Sequence, residues 1–460
     1  MPARSAVLRR SFRKDFPAAV RGEGVYVWDA DGHKYLDLAG SAAVNFIGHG
    51  VPEISAAIAE QSAKLEFVHT SQFTTPIAEE YAEELLAFAG FNANDHFRGG
   101  AVYFTCGGSE SIETALKLAR QYQVEIGQAA RFQILSRQQS YHGSTLGALS
   151  VSGNKRRREM YLPMVREFAH VGMPYCYRCD FDCTDGCRNC GQQYAAELER
   201  AIETASGEAA AFIFEPVSGA TLGAVVPPPG YLQGVAEICR RHGVLLIADE
   251  VMTGMGRTGR NFAVDHWFAE QANITPDILV TAKGLSSGYA PLGAVIASKK
   301  VVEAIAAGSG AFLHGFTYNA HPISLAAGHA VLRHLHAKKL VEAADSNRTG
   351  SPAARFKQAL DSLHDEEAVG DVRGIGLLWA VEFVADKISK RPFPPEQTFS
   401  ARVGAAAMKR GLLVYPMQGS VDGINGDHLL LAPPAVITGE QIAWAVGELR
   451  AAVREVFGSH

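Results

Sequence analysis

The chain contains no apolar run approaching the ~18–20 residues that a membrane-spanning helix requires. It has no excess of either charge. Its 43 lysines and arginines oppose 48 aspartates and glutamates, for a net charge of −5, so neither nucleic acid nor an anionic membrane surface is indicated as a partner. The basic opening, "MPARSAVLRRSFRKDF", lacks the ~7–15-residue apolar core of a secretion signal and reads as a solvated arm. No repeat or low-complexity tract is present. No H-E-x-x-H spacing occurs, none of His142, His314, His321 and His428 begins an H-x-E, and these four read as packing or hydrogen-bonding residues. Cysteine is scarce outside one place: there are seven, and five fall between positions 176 and 190. That is not the framework of a disulfide-stapled secreted domain, and the cytoplasm is the expected compartment.

What is present is enough chain for two to three domains, 460 residues of which 47% are hydrophobic. From residue 100 to about 300, short branched apolar runs alternate with helical patterns: "AVYFT", "RFQILS", "AAFIFEP", "VLLIADE", "DILVTAK" and "GAVIAS". Such runs between helices are the signature of buried parallel strands in an α/β domain. Residues 24–38, "GVYVWDADGHKYLDL", read as a hairpin turning at Asp31-Gly32. Residues 352–460 mix helices with strands such as "LLWAVEF". The expected organisation is a large α/β domain over residues 61–330, carrying a cysteine-rich insertion at 174–191. A smaller α+β domain is expected from residues 1–60 and 331–460 together.

Ligands of open α/β sheets collect at the carboxyl ends of the strands. Here "AVYFT" runs into Cys106-Gly107-Gly108-Ser109, "AAFIF" ends at Glu215, "VLLIA" ends at Asp249-Glu250, and "DILVTA" ends at Lys283. Gly108 and Ser109 open an amphipathic helix and fit either a phosphate cup or a plain strand–helix turn with Ser109 as cap. Asp249 would be desolvated unless a cation met it. Lys283, among small residues and with no acid adjacent in sequence, fits a low-polarity pocket where its amine is a nucleophile and base. A phosphate cup, an acid and such a lysine together suit pyridoxal phosphate, which needs a Schiff-base lysine and an acid at its ring nitrogen.

The stretches "CGGSES", "SYHGSTLGALS", "IFEPVSGATLG", "GVLLIADEVMTGMGRTG", "DILVTAKGLSSGYAPLGAV" and "HGFTYNAHP", in this order, resemble the class III pyridoxal-phosphate-dependent aminotransferases of the ω-amino acid and amine:pyruvate type. The likeness runs from about "GVYVWDADG" to "LLLAPPAVIT". It implies a fold type I architecture and a homodimer. It implies a ping-pong transfer through pyridoxamine phosphate, from an amine or ω-amino acid to an oxo acid. By the same resemblance Gly108 and Ser109 hold the phosphate, Tyr141 and Val251 flank the ring, and Glu215 lines the pocket. Asp249 keeps the ring nitrogen protonated, Lys283 carries the cofactor, and Thr317 reaches the phosphate in the partner subunit. A decarboxylase or aminomutase on the same scaffold is the alternative within the fold. A non-enzymatic scaffold organised by the cysteine insertion is the alternative outside it.

The chain departs from the glutamate-using members at two places. Their arginine before an "F-A-P-P"-like segment is Leu430 here, and its glutamate partner after "EP" is Ala220. No arginine lies between Gly411 and Glu440. Arg373 reads as a structural arginine, leaving the acceptor's carboxylate unassigned, and pyruvate is expected over 2-oxoglutarate. The insertion "CYRCDFDCTDGCRNC" has Cys176 and Cys179, Cys183, then Cys187 and Cys190. Two C-x-x-C pairs of this spacing resemble a zinc knuckle. A reduced, partly buried insertion is the simpler reading, and no residue is assigned to a metal.

Overall fold

A computed structural model describes residues 5–90, 97–181, 187, 189–268 and 275–458. The N-terminal strands β1 (Ala19–Glu23), β2 (Tyr26–Asp29) and β3 (Lys34–Asp37) form an antiparallel meander. The β2–β3 hairpin pairs Tyr26 with Leu36 and turns where expected. The Asp29 carboxylate accepts hydrogen bonds from the Asp31 and His33 amides at 3.0 and 2.9 Å, which closes the turn.

The central sheet holds β4 (Ala101–Thr105), β5 (Gln133–Arg137), β6 (His170–Val171), β7 (Ala209–Phe214), β8 (Leu245–Asp249), β9 (Ile278–Thr281) and β10 (Gly293–Ala297) in the order β4-β10-β9-β8-β7-β5-β6. Every residue of β7, β8, β9 and β10 is buried. Helices cover both faces, so these strands have no solvent side and no polar alternation. The pairs β6–β5, β5–β7, β7–β8 and β8–β9 are parallel, whereas β10 runs antiparallel to both β9 and β4. The run "GAVIAS" therefore differs from the parallel reading. Only the short 3₁₀ turn Lys283–Leu285 lies between β9 and β10, and a parallel return needs a crossover of about a dozen residues or more, usually helical. Because β4 is antiparallel to β10, its carboxyl end lies on the same edge as those of β7, β8 and β9.

A C-terminal antiparallel sheet has β11 (Val369–Ile375), β12 (Leu378–Phe383), β14 (Tyr415–Gln418) and β15 (Asp427–Leu431), in the order β11-β12-β15-β14. The two-residue β13 (Leu412–Leu413) instead pairs in parallel with β3, so the two ends of the chain share a sheet.

A single buried guanidinium ties these parts together. Arg257, 1% exposed, donates through Nη1 to the carbonyls of Ala432 (3.0 Å) and Pro433 (2.6 Å) and through Nη2 to that of Asn45 (3.0 Å). Its plane lies 4.8 Å from the Phe46 ring centroid, and burial lowers its pKa to about 9. Replacing it by leucine strands three carbonyls, each costing about 1–3 kcal/mol if left unpaired. Arg257→Leu is expected to lower the thermal unfolding midpoint by several degrees, with Arg257→Lys recovering only part because an ammonium lacks the planar fork. An unchanged midpoint in Arg257→Leu contradicts this account of how the chain ends are held.

Candidate active site

The carboxyl ends of β4, β7, β8 and β9 converge on one cavity of about 480 Å³. Every expected site residue except Thr317 lines it. Thr317 is exposed, between the exposed Leu313 and Tyr318.

Lys283 begins the turn after β9 with φ +43°, in the left-handed region that non-glycine residues rarely adopt. Its Nζ donates to the Ala42 carbonyl at 3.2 Å. Ala42 belongs to the Gly40–Ala43 turn, all four of whose residues have positive φ. Such conformations cost about 1–2 kcal/mol per non-glycine residue and persist where the surroundings over-determine them. Only glycine fits the first position, since a Cβ there would stand 2.1 Å from the Ala432 carbonyl oxygen. Burial lowers the Lys283 pKa to about 8, against the opposing pull of the Asp249 and Glu215 carboxylates.

Asp249, at the end of β8, is 5% exposed. Its close partners are an imidazole and a backbone amide: its Oδ2 lies 2.7 Å from Nδ1 of His142, and its Oδ1 accepts from the Val251 amide at 3.1 Å. A carboxylate can only accept, so Nδ1 carries the proton. The His142 Nε2 is buried with no hydrogen-bond partner among the described residues. Glu250, by contrast, points away, accepting from Thr253 Oγ1 and from the Val264 amide.

Glu215 follows β7. Its Oε1 accepts from the Gly219 amide at 2.8 Å and its Oε2 from the Tyr141 amide at 3.4 Å. Burial raises its pKa. The Tyr141 hydroxyl lies 2.7 Å from Ser144 Oγ, and the Arg157 guanidinium covers its ring at 4.3 Å from the centroid.

Gly108 and Ser109 open the helix Gly108–Glu125, where no side chain caps the N-terminus. The alternative of Ser109 as a cap therefore fails, and its hydroxyl accepts from the Ser144 amide at 3.0 Å instead. A Cβ on Gly108 would stand 3.1 Å from Val251 Cγ1, so glycine lets Val251 approach the cup.

Leu430, on β15, and Ala220 share an apolar cluster with Ala43, Val217, Ala224, Leu378, Ala380 and Ala432. Val217 from this cluster, and Met252 packed against it, line the cavity. Arg373 is remote in function: it pairs with Asp371 at 2.8 Å and Glu382 at 2.9 Å and donates to the carbonyls of Leu222 and Gly223. This agrees with its reading as a structural arginine.

Three groups at the site were missed from sequence. His142 carried a signal, being adjacent to Tyr141 in "YHG". Arg157 stands in the basic run "KRRR" with nothing to single it out. Ala42 acts through a carbonyl, which no side-chain pattern reveals.

The model of the family "Aminotransferase class-III" matches residues 10–453. An uncharacterized aminotransferase of Bacillus subtilis (strain 168), YodT, is 39% identical over 436 residues, covering 94% of each chain. Among solved structures, an (S)-enantioselective omega-transaminase from Thermomicrobium roseum is 38% identical, with a TM-score of 0.85 over 96% of this chain and 93% of the other. An amine transaminase from an uncultivated Pseudomonas species, in its PLP-bound form, is 33% identical, with a TM-score of 0.87 over 98% and 97%. The chain therefore belongs to the class III aminotransferases, enzymes of fold type I that depend on pyridoxal 5′-phosphate. The cavity fits that group. It offers an uncapped helix N-terminus beside glycine, a half-desolvated amine, and a buried carboxylate oriented by an imidazole.

The depressed Lys283 pKa has a direct test. Its amine should be protonated below about 8 and neutral above it. In protein stripped of cofactor, acetylation of Lys283 followed by peptide mass spectrometry is expected to reach half its maximal rate near that pH. Exposed lysines should do so near ~10.4. Half-maximal labelling of Lys283 at the exposed-lysine pH contradicts the desolvation account.

Proposed function

We propose that this aminotransferase moves an amino group from an amine or ω-amino acid to pyruvate, as a homodimer in the cytoplasm. The observation that carries the choice of acceptor is the apolar cluster around Leu430 and Ala220. A five-carbon dicarboxylate needs a second cationic anchor, and burying its distal carboxylate without one costs several kcal/mol. Pyruvate brings one carboxylate and a methyl group. We assign Arg157 to that single carboxylate. It is half-buried against Tyr141 and pairs with no carboxylate among the described residues.

The cofactor supplies an aldehyde and an electron-accepting ring. The Lys283 amine would hold it, and as a base would carry a proton from the substrate's amine-bearing carbon to the cofactor's former aldehyde carbon, and back in the reverse half-reaction. The Asp249 carboxylate, oriented by His142 Nδ1–H, would serve as counter-charge to the ring nitrogen. Tyr141 and Val251 would hold the ring, and Glu215 orients the Tyr141 and Gly219 amides at the pocket wall. The helix N-terminus at Gly108 and Ser109 holds the phosphate.

Thr317 completes that cup from a second copy of the chain. Its exposure between the exposed apolar Leu313 and Tyr318 supports this reading. No described helix is long and apolar enough to cross a membrane.

Steady-state kinetics with one good amine donor test the acceptor. Pyruvate is expected to exceed 2-oxoglutarate by at least about tenfold in kcat/KM, about 1.4 kcal/mol of discrimination. Arg157→Gln is expected to raise the KM for pyruvate about tenfold and leave that of a carboxylate-free donor unchanged. Equal or better efficiency with 2-oxoglutarate contradicts the reading of Leu430.

A further inference from the structure

The cysteine insertion lies outside the cofactor cavity and takes no part in amino transfer. Its Sγ atoms nevertheless gather. Those of Cys176, Cys187 and Cys190 all lie within 4.8 Å of one another. Cys179 neighbours Cys190, although its sulfur lies outside that group of three. The Tyr194 hydroxyl, 15 residues on from Cys179, donates to the Asp180 carboxylate at 3.1 Å and lies 3.8 Å from the Cys179 sulfur. The Cys190 thiol donates to the Cys187 carbonyl at 3.3 Å. Cys183 lies outside the described residues.

Three thiols meeting from two C-x-x-C pairs, with the fourth beside one of them, are an arrangement that packing alone does not call for. Soft sulfur donors at this spacing select Zn²⁺ in tetrahedral geometry. With Zn–S of about 2.3 Å, ligand sulfurs stand roughly 3.8 Å apart, so the three gathered sulfurs close with shifts of about an ångström and Cys179 turns in from beside Cys190. Outer-sphere polar groups are usual companions of such a site, and the Tyr194 hydroxyl stands 3.8 Å from one sulfur. Aromatic packing shields it, with Phe181 edge-on to Tyr194 at 4.7 Å between centroids.

We propose that Cys176, Cys179, Cys187 and Cys190 bind one structural Zn²⁺, which displaces the four thiol protons. The ion fastens the start of the helix Cys190–Thr204 to the segment 175–179. That segment is itself an anchor. Tyr175 donates to Glu382 on β12, Arg178 pairs with the same carboxylate at 2.8 Å, and Tyr175 packs on Leu222 and Val225. The loop that includes Leu222 and Val225 follows Glu215, so the metal braces the cofactor pocket from outside without touching it. The reduced, metal-free insertion, the simpler reading from spacing alone, leaves the convergence of the sulfurs unexplained.

The test uses the cofactor-loaded enzyme from zinc-supplemented cells. Metal analysis is expected to give one zinc per chain. Release of the zinc by a chelator should lower the melting temperature by several degrees while the cofactor's visible absorption persists, and re-addition of Zn²⁺ should restore the melting temperature. Cys190→Ser is expected to lose the metal. In case that variant does not fold, Co²⁺ exchanged into the wild-type enzyme should show the intense ligand-field bands of a tetrahedral thiolate site, to the red of the cofactor's absorption. Substoichiometric zinc with all cysteines titrating as thiols in the folded enzyme, or disulfides on peptide mapping, overturns the proposal. Both outcomes are read independently of turnover, so neither bears on the cofactor site.

Discussion

The constraint on which the site depends is the desolvation of one ammonium group. Lys283 sits where water cannot fully solvate a charge, and burial alone would drive its amine to neutrality. The Asp249 and Glu215 carboxylates pull the other way, and the balance stands at about 8. At neutral pH roughly a tenth of such amines are uncharged, far more than for an exposed lysine. That balance exists only because the carboxylates are themselves held: Asp249 by His142 and the Val251 amide, Glu215 by the Gly219 and Tyr141 amides.

Both ends of the chain serve the same site. The left-handed Gly40–Ala43 turn brings a carbonyl to the Lys283 amine, and the turn is fixed against Ala432 by the absence of a Cβ on Gly40. Arg257 joins the adjoining Asn45 to Ala432 and Pro433. The C-terminal sheet in turn contributes Leu430 to the apolar cluster from which Val217 reaches the cavity.

Much of this was legible because α/β sheets place chemistry where a buried apolar run ends. "VLLIADE" and "DILVTAK" announce a strand, and the residue that breaks each pattern is the functional one. What was not legible has physical reasons. The direction of β10 depends on the geometry of its connection, while its apolar pattern is the same either way. His142 looks like any packing histidine until its Nδ1 is seen against Asp249. The basic run at 155–158 offers four cations, and only folding selects Arg157 to cover Tyr141. Carbonyl partners such as Ala42 and backbone amides such as Gly219 leave no trace in residue type. In the cysteine insertion, spacing was visible but convergence of the sulfurs was not.

The measurement closest to the central claim is borohydride reduction of the cofactor-loaded enzyme with peptide mapping of the product. Reduction fixes the bond between the cofactor's aldehyde carbon and the amine that holds it. If the half-desolvated amine at the end of β9 is the one built to react, the phosphopyridoxyl label is found on the peptide containing Lys283 and on no other lysine. A label on a different lysine, or none in an enzyme that is yellow and active, contradicts the account.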